Sequence, residues 1–103
     1  RHLEIISPPS VPAGYRHVFH QYTVRAPEGR RDELSAGLAG RGIASRVYYP
    51  VPVHLQPYYR RLGYDQSLPE AERASREVLS LPVHPALTPD DLARIVEAIH
   101  EIL

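Results

Sequence analysis

Three prolines lie within eight residues near the middle of the chain, and they limit its fold more than any other feature. Pro50, Pro52 and Pro57 each lack a backbone N–H and have a fixed φ angle, so their segment can form neither a regular helix nor a strand ladder. The sequence therefore predicts a stiff loop that separates one group of helices and strands from another.

Before this loop, the sequence predicts two strands joined by a helix. Residues 17–26 alternate as a strand does. One face of that strand would carry Val18, His20, Tyr22 and Val24. A helix is predicted over residues 32–41, because Leu34 and Leu38 are four apart and a glycine follows as a left-handed cap. A second strand is expected over residues 45–49.

After the loop, the sequence predicts two helices. Ser67 and Glu70 have the spacing of a capping box, which opens a helix that runs to about Leu79. The last helix covers residues 89–102 and is capped by Thr88. Its apolar stripe consists of Leu92, Ile95, Val96, Ile99 and Leu103. We expect this stripe to pack on the sheet face that carries Val18, Tyr22, Val47 or their neighbours, which gives an α+β fold.

The length and the first residues indicate a single domain. A chain of 103 residues can bury one core but not two. The first sixteen residues show no periodicity beyond a short apolar run at residues 3–6, and they contain Pro8, Pro9, Pro12 and Gly14. We predict a linker or edge segment over residues 1–16 and one domain over residues 17–103.

Composition excludes several classes of function. The formal net charge is zero, which argues against a nucleic-acid-binding surface, and no apolar run is long enough to span a membrane, so a cytoplasmic protein is expected. There is no cysteine, and His17 and His20 would point to opposite faces of a strand, so no metal site is expected. Neither a G-x-S-x-G elbow nor a glycine-rich phosphate loop occurs.

All twelve basic residues are arginines, and the chain contains no lysine. No side chain of this protein can therefore form a Schiff base or act as a lysine general base. The chain also begins at Arg1 and contains no methionine, which predicts that it is a piece of a longer protein.

An unusual group of side chains lies in and around the proline loop. Arg46, Tyr48, Tyr49 and His54 are followed by Gln56 and by two further tyrosines at 58 and 59. A stiff loop at the end of a strand holds such groups in place at little entropic cost, which is typical of a binding site. The same tyrosines could instead be half-buried packing residues, and the tyrosines at 58 and 59 could begin a helix with a solvated basic end.

The residues from 47 to 59, VYYPVPVHLQPYY, resemble the Y-P-x-P-x-H-x-Q-P-x-Y stretch of the DegT/StrS family of sugar aminotransferases, which are fold-type-I enzymes that use pyridoxal phosphate (PLP). Further phrases occur in that family in the same order. They are FHQY at residues 19–22, RDEL at 31–34, RGI at 41–43, PEAE at 69–72 and LSLPVHP at 79–85. The resemblance covers nearly the whole chain.

This resemblance implies the C-terminal small domain of such an enzyme, with a small, mostly antiparallel sheet of three or so strands and helices packed on it. The parent enzyme would transfer an amino group to a nucleotide-linked keto sugar, and would do so as a homodimer whose large domain holds PLP. Neither the cofactor nor a catalytic residue is expected in this chain. A different class also stays open, a detached ligand-binding or regulatory module without enzyme activity.

The resemblance also implies roles for particular residues. Tyr48, Tyr49 and His54 would face the substrate cleft, be at least partly accessible, and form hydrogen bonds to sugar or phosphate oxygens. His20 would have a similar role, and Arg46 would either pair with phosphate or be a solvated arginine at a strand end.

Overall fold

The computed structural model describes residues 7–26 and 29–103, so the apolar run at residues 3–6 and Pro27 lie outside it. The described residues form two strands, four α-helices and one 3₁₀ turn. In chain order these are β1 (Tyr22–Arg25), α1 (Arg30–Gly40), the 3₁₀ turn (Val53–Leu55), α2 (Pro57–Arg61), α3 (Pro69–Glu77), β2 (Val78–Leu81) and α4 (Pro89–Ile102).

The sheet consists of β1 and β2, which pair antiparallel with Tyr22 opposite Leu81 and Arg25 opposite Val78. A single bridge extends it on each side, from Ser7 to Arg25 and from Arg46 to Ser80. The α+β class and the antiparallel sheet are confirmed, with two strands among the described residues where three or so were expected.

The first strand is shorter than predicted because the backbone leaves the extended conformation before Tyr22. Phe19 has a φ of 48°, and its N–H donates to Nδ1 of His17 at 2.7 Å, where a strand would direct it to a neighbouring strand. Val18 is 81% exposed, so the prediction that it faces the core is wrong.

The second predicted strand, over residues 45–49, is also wrong in extent. Only Arg46 pairs, through its N–H to the Ser80 carbonyl at 3.0 Å and through its carbonyl to the Ser80 N–H at 2.7 Å. The chain then enters the proline loop, whose missing donors end the ladder. This bridge holds the start of the loop against β2.

The helix after residue 67 differs from the prediction at both ends. Its cap residue is Leu68, and the Leu68 N–H donates to the carboxylate of Glu72, so the predicted box of Ser67 with Glu70 is wrong. The helix ends at Glu77 rather than near Leu79, because Leu79 pairs with β1 and is fully buried there. Burial of a strand residue in the core has overridden the local helical pattern.

The C-terminal cap of α1 is confirmed. Gly42 has a φ of 76°, its N–H donates to the Ala39 carbonyl, and the Ile43 N–H donates to the Leu38 carbonyl. This is a Schellman motif, in which the residue after the glycine makes an apolar contact. Ile43 is accordingly buried in the core.

The bounds of the last helix are confirmed, because α4 begins with Thr88 and Asp91 in a reciprocal capping box and with Pro89 in the first turn. Its packing agrees with the expectation in part, because Ile95 and Ile99 join the core cluster that contains Val24 and Leu79 of the sheet. In addition α4 lies on α1, and Leu92 and Val96 stay largely exposed. The buried core combines both helices with the strands. Its members are Val24, Ala26, Leu34, Leu38, Ile43, Leu79, Ile95, Ala98 and Ile99.

Within the described part of the chain, no helix has the length and apolar character that a membrane crossing requires.

The first prediction concerns the packing of α4. Replacement of Ile95, which is 8% exposed, by alanine should lower the free energy of unfolding by about 2–5 kcal/mol, because it leaves a cavity in the core. Val96→Ala is the control, since Val96 is 45% exposed on the same helix. This substitution should lower the free energy of unfolding by only about 0.5 kcal/mol. Urea unfolding measures both variants, and equal midpoints would contradict this packing.

The second prediction concerns the close approach of α1 and α4 at Gly37. A Cβ atom there would lie 2.7 Å from Cδ1 and 2.8 Å from Cγ1 of Ile102. Alanine favours a helix over glycine by about 1 kcal/mol, but crowding in a packed site costs about 1–3 kcal/mol, so Gly37→Ala should be destabilising.

Gly40→Ala is the matched control, because a Cβ atom at Gly40 has nothing within 4 Å. Thermal unfolding should place Gly40→Ala at or above the wild-type midpoint and Gly37→Ala below it. Addition of Ile102→Ala should reduce the loss caused by Gly37→Ala. Two glycine variants of equal stability would show that the helices do not approach closely at this point.

Candidate functional site

The proline loop and the elements on either side of it form the candidate site. Its start is held by the bridge of Arg46 to Ser80. Inside the loop, the side-chain amide of Gln56 donates to the Val51 carbonyl at 3.2 Å, and the Leu55 N–H donates to the Pro52 carbonyl at 2.9 Å. These local bonds replace the regular ladder that the prolines exclude, and the short 3₁₀ turn follows directly.

A groove of about 770 Å³ lies between the loop and α3. Its lining is mostly apolar and aromatic, with the loop on one side and α3 on the other. We call it the tyrosine groove. The residues that line it include Tyr48, Tyr49, Val53, His54, Tyr59, Tyr64, Gln66, Leu68, Ala71, Ala74 and Ser75. A concave surface of this size and mixed character suits a small polar ligand with an apolar face.

A smaller groove of about 300 Å³ adjoins the first and is more polar. It is lined by His20, Ser45, Arg46 and Ser80 together with Tyr48, which also lines the tyrosine groove. We call it the arginine groove. Arg46 is exposed, and none of the ion pairs among the described residues includes its guanidinium. A cation in this position can pair with an anion from solution.

The structure therefore distributes the five predicted site residues over two neighbouring grooves. Tyr49 and His54 line the tyrosine groove, His20 and Arg46 line the arginine groove, and Tyr48 lines both. His20 and His54 share no groove. Whether these side chains bind a ligand stays a prediction.

The tyrosines present open faces. Tyr48 and Tyr49, which are joined by a cis peptide bond, are 38% and 72% exposed and contact each other edge to face with ring centres 5.5 Å apart. Tyr59 and Tyr64 also line the groove, and their ring centres are 6.0 Å apart. The predicted helix start at residues 58–59 is confirmed as part of α2, whose last turn carries two arginines.

His54 is buried, so the expectation that it is accessible like the tyrosines is wrong. Its side chain is 8% exposed, and its Nε2 lies 2.9 Å from Oε2 of Glu72 on α3. That oxygen also accepts the Leu68 N–H at 3.0 Å. The hydrogen bond from His54, then that from Leu68, lowers the pKa of Glu72 below its ordinary value.

Sequence reasoning missed Glu72 as a partner of His54, because the two are eighteen residues apart and belong to different elements. Glu72 belongs to the PEAE phrase, where a glutamate on an exposed helix turn gives no local sign of a buried contact. The described residues contain no group of three or more histidines and acids arranged to hold a metal ion.

The family model for the DegT/DnrJ/EryC1/StrS aminotransferases matches residues 1–100 of the chain. The chain is 52% identical over 98 residues to a protein named pleiotropic regulatory protein from Geobacillus stearothermophilus, covering 94% of this chain and 26% of that protein. It is 46% identical over 85 residues to the dTDP-3-amino-3,4,6-trideoxy-alpha-D-glucose transaminase of Streptomyces venezuelae, covering 82% of this chain and 22% of the enzyme.

Among solved structures, the aminotransferase TlmJ from Streptoalloteichus hindustanus matches with a TM-score of 0.85 and 33% identity, covering 96% of this chain and 26% of TlmJ. The chain thus spans about a quarter of the length of these relatives. Another matching structure, the sugar aminotransferase Spr1654 from Streptococcus pneumoniae, was solved in a PLP form. The match over residues 1–100 shows that the chain belongs to the DegT/DnrJ/EryC1/StrS aminotransferase family.

Proposed function

We propose that this chain is the C-terminal small domain of a PLP-dependent aminotransferase and forms one wall of the cleft that binds a nucleotide-linked keto sugar. The observation that carries the proposal is the grouping of Tyr48, Tyr49 and His54 in one groove, continuous through Tyr48 with the groove of His20 and Arg46. Family membership supports the reaction class, and the relative named as a dTDP-amino-sugar transaminase supports a nucleotide sugar as substrate.

The chemistry of the two grooves matches the two parts of such a substrate. Sugar rings carry hydroxyls and an apolar face, which suit the phenol groups and open rings of the tyrosine groove. The diphosphate carries negative charge, which suits the exposed guanidinium of Arg46 and the polar groups beside it. In this proposal residues 1–16 lead into the domain, and residues 17–103 form it.

The residues of this chain do not fit covalent attachment of PLP, because the chain has no lysine to supply an amine. In the proposed parent enzyme, a large domain outside this chain holds the cofactor, and the enzyme is a homodimer. The chain itself contributes binding and orientation of the sugar.

A second candidate is a regulatory or ligand-binding module without enzyme activity. One observation favours it, since a relative that is 52% identical is named a pleiotropic regulatory protein. The two candidates differ in a direct assay. A full-length protein that converts a nucleotide-linked keto sugar to its amino sugar supports the first, whereas one that binds such a sugar without turnover supports the second.

The third prediction concerns the isolated chain, which should neither bind PLP covalently at a side chain nor transaminate. The reason is that the chain has no lysine, so the N-terminal amine is its one primary amine that could form a Schiff base with PLP. The chain is incubated with PLP, reduced with borohydride and mapped by peptide mass spectrometry. A reduced adduct on a side chain would contradict the prediction.

The fourth prediction tests Arg46 in the full-length protein that carries this chain. Loss of a charge-assisted hydrogen bond to phosphate costs about 1.5–3 kcal/mol, so Arg46→Ala should raise KM for the nucleotide sugar about tenfold or more. KM for the amino donor should not change.

Arg60→Ala serves as the matched control, because Arg60 is an exposed arginine on α2 outside both grooves. Steady-state kinetics with both substrates separates the effects. If Arg46→Ala and Arg60→Ala behave alike, Arg46 is a solvated arginine and the assignment of the arginine groove to phosphate fails.

A further inference from the structure

The hydrogen bond between Glu72 and His54 joins α3 to the 3₁₀ turn, and it is the one side-chain hydrogen bond between these two elements among the described residues. Oε2 of Glu72 lies 2.9 Å from Nε2 of His54 and accepts the Leu68 N–H at 3.0 Å. Since Leu68 is the cap residue of α3, the carboxylate is tied to the backbone of its own helix. A carboxylate fixed in this way has little freedom to move away from the imidazole.

If the His54 ring is neutral, this contact determines which of its nitrogens carries the proton. A carboxylate accepts hydrogen bonds, so Nε2 must be the donor, and in a neutral imidazole Nδ1 is then unprotonated. No described residue forms a hydrogen bond with Nδ1. Nδ1 is also not among the fully buried polar atoms that lack a partner, so it is not completely shielded from solvent. Because Nε2 is occupied, any hydrogen bond from His54 to a molecule in the tyrosine groove uses Nδ1.

We propose that Glu72 is a positioning residue that holds His54 as its Nε2–H tautomer, so that Nδ1 offers a hydrogen-bond acceptor to the tyrosine groove. An unprotonated Nδ1 can only accept a hydrogen bond, so its partner must be a donor. A sugar hydroxyl can donate, whereas an ionised phosphate oxygen cannot. This inference rests on the proposed function and refines it, since it assigns the sugar to His54 and leaves the phosphates to the arginine groove.

The tautomer is tested first on the 103-residue chain, independently of any activity. At pH 8, above the usual titration range of histidine, long-range ¹H–¹⁵N spectra distinguish the two neutral tautomers and the imidazolium. His54 should show the Nε2–H form alone, and Glu72→Ala should show a mixture of both neutral forms. An Nδ1–H form or an imidazolium in the wild-type spectrum overturns the proposal even if Glu72→Ala fails to fold.

Glu70→Ala is the matched control, because Glu70 lies on the same helix and pairs with Arg73 without contacting His54. Its spectrum should keep the wild-type tautomer. A mixture in Glu70→Ala as large as that in Glu72→Ala would mean that the helix as a whole, and not the carboxylate of Glu72, sets the tautomer.

Kinetics in the full-length protein then tests the role in binding. Loss of a neutral hydrogen bond weakens binding about fivefold, so His54→Ala and Glu72→Ala should each raise KM for the nucleotide sugar by about that factor. The double variant should be no worse than either single variant, because Glu72 acts through His54. The KM for the amino donor and the values for Glu70→Ala should stay at wild type.

The outcomes separate this inference from the proposed function. If His54→Ala raises KM and Glu72→Ala does not, the positioning role is wrong and the proposed function stands. If the wild-type protein turns over no nucleotide sugar, the proposed function is wrong and the sugar assignment falls with it, while the spectra still decide the tautomer. Additive effects in the double variant would also overturn the inference, since they would show that the two residues act separately.

Discussion

The antiparallel pairing of β1 with β2 is the interaction on which the rest of the structure depends. It joins residues more than fifty positions apart, as in the hydrogen bond between Thr23 and Ser80, and it places Val24 and Leu79 in the core. The loop that carries the candidate site lies in the part of the chain between these two strands. It is fastened to the sheet at Arg46 and to α3 at His54, so the geometry of both grooves follows from the pairing of two short strands.

The helices could be predicted where local chemistry determines them. The ends of α4 follow from Thr88, Pro89 and Asp91, and the end of α1 follows from Gly42, because capping acts over only a few residues. The bounds of the strands could be predicted less accurately than those of the helices. A period of two in residues 17–26 does not reveal that the His17 ring takes the Phe19 N–H, and β2 carries a pattern that also continues a helix.

The candidate site shows the same limit. The resemblance to a family brought attention to Tyr48, Tyr49 and His54, and the local aromatic pattern alone left them open as packing residues. The burial of His54 and its contact with Glu72 depend on how α3 returns beside the loop, which is a long-range property. Local sequence therefore indicated which side chains matter here, whereas the identity of their partners required the fold.

The two ends of α3 differ in how much variation they can accept. Its C-terminal end passes into β2 without a single connecting residue, and Arg31 bonds the carbonyls of Ser75 and Val78 across that junction. The segment before the cap residue of α3, residues 62–67, is exposed throughout and yet supplies Tyr64 to the tyrosine groove. An insertion at the first place would shift the sheet register, while one at the second would reshape only the groove. Evolution can thus alter what the groove accepts through a segment whose length the core does not constrain.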